Sequence, residues 1–586
     1  MADKATVAYF CEPFMISGLL PTLGPPILKQ ALMENGIKVK VFYPSLHFFL
    51  EDCEEYGTLL LQLADDIPLQ ITEFFFMEDD NANIFLDTLP PAFNSLKNRE
   101  QLLFLRKRAR EKVDCLIRQM QQDKPGFFCF SVTFGTSFAK YLLPHVRKVS
   151  PDTTIVVGGS CCTPIFAAQL RKEIPSVDYI VCDETPDSLV LLIKSLSDGS
   201  DGIPENIDYS EHSAKYIRFA ESMDSIPIPN FDDYFAIIDS YNIPRSQITL
   251  PYEMSRGCWW CQVEPCNMCG FFGARKAYTV KSPEKVVSEI EALSQKYEIK
   301  KFRFSDLVQP VEPMLTALSP LSNLNLRFFW ELRPDISFHD LYQLRSQGMT
   351  YAQIGLESLN TGALIHMNKG TTAIQNIQVL IWAQTLKLDV VWNYLYGLPG
   401  DQIEWYDSVV DIFPFLYHLQ PPIPRRCWEN QYSKWYFQTD SKRMIVRMEQ
   451  RSARLESVYN KLKTAIAEWH NAYKCEYRLC VDRSYKDGFR IIRDFGKEII
   501  FDLTEFEATL YCFFFQPHTL EDALETGVEE KYLLAFLRKM IRERLMIKIE
   551  DFYLSTATDS SRFKWIKSRD QVLNFVLPDK VKKYEL

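Results

Sequence analysis

The sequence predicts an α/β protein built from a Rossmann-like, doubly wound parallel sheet, a partial β/α (TIM-type) barrel and a small C-terminal α+β domain. Three observations lead to this prediction. Five apolar strand patterns separated by helical patterns occupy the first 200 residues, and a second alternating series begins near residue 252. After residue 426 the pattern changes to a long charged helix followed by short strands and helices.

The first series has strand patterns at residues 6–11, 38–43, 126–132, 153–159 and 177–182. Helical patterns lie between most of them, at 25–34, 137–149, 164–172 and 186–196. A doubly wound sheet binds ligands at the carboxyl ends of its strands. Candidate ligand contacts at these ends are Ser131, Thr133, Gly158, Gly159, Asp183 and Glu184. The Gly158–Gly159 pair either lets backbone approach a ligand closely or forms a tight strand-to-helix turn.

The second series predicts barrel strands at 252–256, 301–305, 326–332, 351–356 and 390–396, with helices at 283–296, 339–347, 372–386 and 401–419. In the C-terminal part, the pattern predicts a helix at 444–473, strands at 477–482, 489–495 and 499–503, and helices at 505–514 and 529–542. These elements are expected to form a winged-helix-like domain. Four parts are predicted: a first domain at 1–205, a linker at 206–250, a barrel at 251–426 and an accessory domain at 427–586. The first domain contains an insertion at 44–124, which is expected to be ordered and ends in a charged helix at 99–122.

Composition excludes several classes of protein. Of the 586 residues, 47% are hydrophobic and 24% are charged, as in globular proteins. The 66 basic and 76 acidic side chains give a net charge of −10, which disfavours a nucleic-acid partner. No secretory signal or membrane-spanning run is evident, so we expect a cytoplasmic protein without a membrane partner. Its 15 cysteines are therefore expected to be reduced thiols or metal ligands.

Four cysteines, at positions 258, 261, 266 and 269, lie within twelve residues directly after the first predicted barrel strand. Thiolates bind zinc and iron–sulfur clusters. Two CxxC pairs could bind zinc, but four residues separate Cys261 from Cys266, where such zinc sites usually have roughly 15–20. Alternatively, Cys258, Cys266 and Cys269 hold an iron–sulfur cluster with one open iron, and Cys261 is an extra thiol. The loop's position at the catalytic face of a barrel favours the cluster.

Further motifs extend over residues 5–425. They include Phe130-Ser-Val-Thr-Phe, Val156-Val-Gly-Gly, Cys258-Trp-Trp, Gly355-Leu-Glu-Ser, Met367-Asn-Lys-Gly and Trp392-Asn-Tyr-Leu-Tyr-Gly-Leu-Pro-Gly. With these motifs the chain resembles the cobalamin-binding radical S-adenosylmethionine (SAM) enzymes that mature ribosomally made peptides, of the C-methyltransferase type. It departs from that pattern in three places. Cys261 stands where a glycine is usual, and the segment that begins at Phe304 lacks an Asp-Asn pair. The segment that begins at Arg425 differs from the family's sequence.

The resemblance implies a cobalamin-binding first domain and three cofactors: a 4Fe–4S cluster on the metal ligands Cys258, Cys266 and Cys269, SAM, and cobalamin. It implies an external electron donor and a peptide substrate. In this family the cluster reduces SAM, which splits to methionine and a 5′-deoxyadenosyl radical; the radical takes a hydrogen atom from an unactivated carbon, and methylcobalamin supplies a methyl group. Cys261 either takes part in catalysis or fills space. The alternatives are cobalamin-dependent radical chemistry without methyl transfer (cyclisation or rearrangement) and a non-catalytic, zinc-stabilised binding protein.

Candidate SAM contacts lie at the ends of barrel strands: Gly355, Glu357, Asp306, Glu331, Arg333, Asn393 and Tyr396. For Glu331 and Arg333 a structural ion pair with each other is the alternative. Asn393 and Tyr396 are an odd number of positions apart on one strand, so only one of them is expected to contact a ligand. The first 200 residues contain no Asp-x-His-x-x-Gly motif, so a protein histidine below the cobalt is not expected. The basic helix at 529–544 is either a solvated face or a contact for an acidic leader peptide.

Overall fold

The computed structural model describes residues 7–15, 19–52, 68–87, 89, 95–132, 136–160, 162–199, 202–270, 277–309, 311–427, 433–435, 453–482 and 489–559. The chain divides into two compact units. The first comprises Met1–Met254 with Thr279–Arg303, and the second comprises Ser255–Tyr278 with Phe304–Leu586. The domain boundaries given above stay predictions. Within the described residues, no helix combines the length and apolarity that a bilayer crossing requires.

A six-stranded sheet forms the centre of the first unit. In spatial order its strands are Lys38–Phe42, Val7–Cys11, Phe127–Ser131, Thr154–Gly158, Tyr179–Val181 and Ile207–Tyr209. The first five are parallel, as the sequence predicts. Val7 lies opposite Lys38, and Ala8 lies opposite Phe127. The sixth is antiparallel and lies in the predicted linker. It was missed because three residues are too few to show a periodic pattern.

Helices account for most of the remaining first unit. They are Gly24–Glu34, Pro68–Phe76, Asp79–Asp87, Leu96–Asp123, Ser137–Val149, Pro164–Glu173, Asp187–Asp198, Asp232–Ser240 and Pro283–Tyr297. The central strand Phe127–Ser131 is apolar over most of its length, because the inner strands of a parallel sheet are covered on both faces; its residues 127–130 are all buried. Strand order reverses between Val7–Cys11 and Phe127–Ser131, which places the ligand-binding crevice typical of such sheets at their carboxyl ends.

The predicted insertion is ordered where the structure describes it. Its main helix, Leu96–Asp123, begins with the Ser95 side chain accepting a hydrogen bond from the Asn98 amide at 3.2 Å. One stripe of this charged helix is buried, at Leu102, Leu105, Ala109, Val113, Leu116 and Met120. This spacing is that of a single helix face, so the helix belongs to the core of the unit. Residues 53–67, 88 and 90–94 of the insertion lie outside the described residues.

A buried glutamate follows the first strand. Glu12 is 3% exposed, and its carboxylate accepts hydrogen bonds from the Thr22 amide at 2.7 Å and the Ser45 hydroxyl at 2.8 Å. Burial raises the pKa of Glu12 to about 7, against the effect of these hydrogen bonds. The folded chain therefore holds a proton at a pH where the unfolded chain has lost it, so Glu12 lowers the free energy of unfolding progressively between about pH 4.5 and 7.

Replacing Glu12 by glutamine is expected to remove this pH dependence. At pH 8 the variant should exceed wild type in unfolding free energy by about 3 kcal/mol, and near pH 4 the two should be equal. Urea unfolding of both proteins at pH 4, 6 and 8 measures the difference. A difference that does not grow with pH would show that Glu12 is ionised in the folded chain.

The second unit contains a parallel strand series. Met349–Ile354 pairs in parallel with Arg327–Leu332 on one side and Asp389–Val391 on the other, and Asn393–Tyr396 pairs in parallel with Ile423–Arg426. The predicted strand 390–396 is therefore two strands, broken at Trp392. The Ile423 amide donates to the Trp392 carbonyl at 2.9 Å, which is where the chain changes its pairing partner. Leu250–Tyr252, Ser255–Arg256 and Lys301–Phe304 are the remaining strands of the predicted series.

Helices follow these strands. They are Val311–Leu318, Phe338–Ser346, Thr361–His366, Ala373–Thr385 and Glu404–Val410. The predicted helix 401–419 is wrong beyond Val410, where a 3₁₀ turn at Phe413–Phe415 follows instead. Pro414 lies in that turn, and proline cannot donate the backbone hydrogen bond that would continue an α-helix.

The C-terminal part begins with the helix Ala453–Lys474; predicted positions 444–452 lie outside the described residues. An antiparallel sheet follows, in which Phe489–Asp494 pairs with Arg478–Asp482 and with Glu498–Leu503. The predicted helices 505–514 and 529–542 correspond to Glu505–Phe513 and Glu530–Arg542. Four shorter elements that were not predicted, His518–Thr519, Leu520–Leu524, Met546–Ile549 and Phe552–Ser555, accompany them, and the winged-helix likeness stays a prediction.

Candidate active site

The four clustered cysteines occupy one loop of the second unit, residues 257–270, which we call the cysteine loop. Gly257 opens it with φ 86°, and a Cβ there would overlap the Ala277 carbonyl, so glycine is required. Cys258 immediately precedes a short helix, Trp259–Val263, that carries Cys261 and that the sequence did not predict. The loop then turns, with the Cys269 amide donating to the Cys266 carbonyl at 3.1 Å. All four thiols are reduced and half-buried.

The charge around Cys266 is set by two cations. Burial raises the pKa of the Cys266 thiol, whereas the positive charges of Lys369 and Arg333 oppose that rise. Cys258 and Glu357 are close enough to add to it. The same cations would stabilise a thiolate, which is the form that binds metal.

The donor set fits an iron–sulfur cluster in its chemistry. One loop supplies three thiols in the predicted positions, with cations beside one of them. As the side chains stand in the described part of the chain, no three His, Cys, Asp or Glu residues are grouped closely enough to hold a metal ion. The fit therefore rests on donor type and position in the fold, and the same thiols also suit zinc.

Gly355 and Glu357 follow the strand Met349–Ile354, and the structure places Lys369 beside both. The Lys369 ammonium lies 3.3 Å from Glu357 Oε1, and the two side chains are 10% and 15% exposed. A Cβ on Gly355 would lie 2.8 Å from this ammonium, so glycine leaves the space that the lysine occupies. Glu357 adopts φ 66°, and its carbonyl accepts from the Leu395 amide at 2.8 Å. Lys369 was not among the predicted contacts, although the Met367-Asn-Lys-Gly motif was noted.

Arg333 is buried and pairs with Asp335, whose carboxylate lies 3.0 Å from Nη2. Arg333 thus has Asp335 as an ion-pair partner, and the alternative of a pair between Glu331 and Arg333 stays a prediction. Residues two apart on a strand share a face, but this strand ends at Leu332, so Arg333 has already left the strand geometry. The Arg333 guanidinium lies 5.0 Å from the Trp259 ring centroid and 4.7 Å from that of Trp260.

Asp306 is 1% exposed and anchors the chain just before the cysteine loop. Its carboxylate accepts from the Ser255 hydroxyl at 2.6 Å and from the Ser255 amide. The Tyr278 hydroxyl lies close to Ser255, Asp306 and Cys258, and burial raises the pKa of this tyrosine. Asp306 therefore has a structural role at the loop, and its contact with a SAM ribose stays a prediction.

Asn393 and Tyr396 are both half-buried on one short strand. The Tyr396 ring packs on Tyr459 with 5.3 Å between centroids, and its carbonyl accepts from the Cys427 amide at 2.7 Å. Burial raises the pKa of Tyr396. The expectation that only one of these two residues contacts a ligand stays a prediction. Because the Tyr396 ring is already packed on Tyr459, Asn393 is favoured as that ligand contact.

Ser131, Gly158 and Gly159 meet at the carboxyl edge of the first unit's sheet. Ser131 lies opposite Gly158, whose carbonyl accepts from the Val132 amide at 2.7 Å. Gly159 has φ 110°, and a Cβ there would lie 2.6 Å from the Val132 carbonyl oxygen. Gly159 is therefore required by a tight turn, one of the two expected roles of the pair. Thr133 lies outside the described residues.

Asp183 and Glu184 follow the fifth strand. The Asp183 carboxylate accepts from the Thr185 amide at 2.7 Å, the Thr185 hydroxyl at 2.9 Å and the Ser188 amide at 3.2 Å. It thereby caps the helix Asp187–Asp198. The Glu184 amide donates to the Arg218 carbonyl at 3.0 Å. Cofactor contacts for both residues stay predictions.

No protein-family model matches the chain. Among curated proteins, the anaerobic magnesium-protoporphyrin IX monomethyl ester cyclase of Rubrivivax gelatinosus is 23% identical over 322 residues, covering 50% of this chain and 56% of the relative. The cyclase of the same name from Cereibacter sphaeroides is 22% identical, covering 56% and 54%. An uncharacterized methyltransferase of Pyrococcus horikoshii is 23% identical, covering 54% and 70%. The chain thus spans about half the length of the two cyclases.

Solved structures confirm the predicted fold class. The chain shares its fold with cobalamin-dependent radical SAM enzymes. OxsB, with aqua-cobalamin and SAM bound, matches at a TM-score of 0.50 and 16% identity over 79% of this chain and 56% of that one. TsrM from Kitasatospora setae, a radical SAM methyltransferase with cobalamin and a 4Fe–4S cluster bound, matches at 0.50 and 13% identity over 77% and 84%.

Proposed function

We propose that the chain is a cobalamin-dependent radical SAM enzyme. The observation that carries the proposal is the cysteine loop: three thiols in the spacing of a cluster site, in a parallel β/α unit, with the positive charges of Lys369 and Arg333 favouring the thiolate of Cys266. The fold shared with OxsB and TsrM supports the same class, and the name of one curated relative, an uncharacterized methyltransferase, agrees with methyl transfer. A 4Fe–4S cluster on Cys258, Cys266 and Cys269 would supply the electron for reductive cleavage of SAM, and cobalamin would carry a methyl group.

The chain's own residues would bind and orient these groups. The absence of a side chain at Gly355 lets the Glu357–Lys369 pair lie against the strand end, where a ligand would meet both charges. This pair offers one acceptor and one cationic donor, which suit an amino acid zwitterion such as the methionyl part of SAM. The Trp259 and Trp260 rings lie over the buried Arg333 guanidinium and would hold it in one orientation.

For the reaction, we propose C-methylation of an unactivated carbon in a ribosomally made peptide, with an external protein or small molecule as electron donor. The amphipathic helix Glu530–Arg542 supports a peptide partner, because Lys531, Arg538 and Arg542 are exposed on it. These charges suit an acidic leader segment.

A second candidate function is favoured by the two curated cyclases. In this reaction the same cofactors act without methyl transfer and the product is a ring or a rearranged skeleton. Formation of S-adenosylhomocysteine separates the two functions, since only methyl transfer from SAM produces it.

The first test is the content of iron, acid-labile sulfide, cobalt and zinc in protein purified without oxygen from cells supplied with cobalamin. We expect about four irons, matching sulfide and about one cobalt per chain. Iron and sulfide without cobalt would retain the radical SAM assignment and remove cobalamin. Zinc without iron would instead support the binding-protein alternative and overturn the proposal.

A further inference from the structure

The cysteine loop is attached to the end of a helix about 100 residues away in sequence. The helix Thr361–His366 ends in a turn in which the Lys369 amide returns to the Leu364 carbonyl and the Asn368 amide to the Ile365 carbonyl, both at 2.9 Å. The last carbonyls of a helix have no partner within it and must be satisfied from outside. The carbonyls of Leu364 and Ile365 are satisfied by this turn, so the next four carbonyls, of residues 366–369, need hydrogen-bond donors from elsewhere.

The segment after Cys266 supplies two of these donors. The Asn267 side-chain amide donates to the His366 carbonyl at 2.7 Å, and the Asn267 backbone amide donates to the Met367 carbonyl at 2.9 Å. The neighbouring Met268 packs against the apolar cluster formed by Ala363, Leu364, Met367, Leu398 and Trp435. This fixes the arm of the loop that carries Cys266 and Cys269.

The arm that carries Cys258 supplies the third donor. Trp260 Nε1 donates to the Asn368 carbonyl at 3.1 Å, and the Asn368 side chain donates back to the Pro265 carbonyl at 2.9 Å. Gly370, at φ 74°, lies against the Trp260 indole so closely that a Cβ there would overlap the ring. The fourth carbonyl, of Lys369, accepts from Arg333 Nη2 at 3.0 Å.

We infer that residues 366–370 are a brace that sets the separation of the two arms of the cysteine loop, and that Trp260 and Asn267 are its positioning residues. The three predicted cluster ligands come from both arms, so their mutual distance depends on both attachments. The brace also holds Lys369, whose ammonium reaches Glu357, in register with the loop. This inference rests on the proposed function for its purpose, but the brace itself is a property of the apoprotein.

The first experiment measures how fast a ferrous chelator removes iron from the anaerobically reconstituted full-length protein. Trp260→Phe keeps one aromatic ring but removes the N–H donor and the part of the indole that lies against Gly370, and should speed iron loss at least about fivefold, the effect expected for one lost hydrogen bond. Asn267→Ala should act at least as strongly. Trp259→Phe is the matched control, because it lies one residue away, keeps a ring over Arg333 and should stay within about twofold of wild type.

Hydrogen exchange of the metal-free chain tests the brace without a cluster. Amides of residues 258–269 should exchange faster in Trp260→Phe and Asn267→Ala than in wild type and Trp259→Phe. Faster exchange in these two variants, together with a wild type that binds no iron on reconstitution, would support the brace and overturn the proposed function. If the wild type holds its cluster but the two variants match it in both amide exchange and iron loss, the brace is overturned and the proposed function stands.

Discussion

Alanine at Cys258, Cys266 or Cys269 is expected to abolish cluster binding and all SAM cleavage, whereas Cys261→Ala is expected to keep about four irons per chain. Each of the first three removes one of three protein ligands, and two thiolates do not retain a cluster with an open iron. Cys261 lies within the short helix Trp259–Val263 and is not one of the three proposed ligands.

Iron and sulfide analysis and the electron paramagnetic resonance spectrum of the reduced protein measure this result. The Cys261 variant is the matched control, because it removes a thiol from the same loop. A protein that loses its metal equally on replacement of any of the four cysteines would have a four-thiolate site, as zinc requires, and the three-cysteine assignment would be wrong.

Lys369→Met is expected to lower the rate of SAM cleavage about a hundredfold, because it removes a charged donor proposed to hold SAM. It should also lower the free energy of unfolding by about 3–5 kcal/mol, because it breaks a buried ion pair. The substitution keeps the length of the side chain and removes its charge. It leaves the Glu357 carboxylate, 15% exposed, without this cation and removes positive charge beside Cys266. The production of 5′-deoxyadenosine after chemical reduction gives the rate, and thermal unfolding gives the structural cost.

A double variant separates the two effects of Lys369. Lys369→Met with Glu357→Gln removes both charges, so it should recover much of the thermal stability that Lys369→Met loses, but not the rate. Lys369→Arg keeps the charge and should retain more activity than Lys369→Met. Wild-type cleavage by Lys369→Met would contradict a role for this lysine at the site.

The fold was largely predictable because most elements carry their own signal. The run Phe127–Ser131 is apolar enough to be recognised as a central strand of a parallel sheet, and Ser137–Val149 is recognisable as a helix from its apolar spacing. The break at Trp392 was not predictable, because it results from a change of pairing partner rather than from local sequence. Tertiary pairing decides such a position.

The site was predictable only where spacing carries the chemistry. The cysteines are close in sequence, so their role was evident from one segment. Lys369 reaches Glu357 from a helix end twelve positions away, and Trp260 contacts Asn368 across 108 positions. No periodic pattern links such residues. The pairing of Arg333 with Asp335 also depends on where the strand stops, which is among the least certain features of a sequence-based prediction.

The distance along the chain between the cysteine loop and its brace has a consequence for biosynthesis. A nascent chain that has emerged only as far as residue 300 already presents all four thiols but has not yet made the carbonyls of residues 366–369. Contacts of such long sequence separation form late, after the intervening strands and helices have folded. Cluster insertion is therefore expected to follow release of the barrel from the ribosome. Before that release, the four thiols are exposed to oxidation and to zinc.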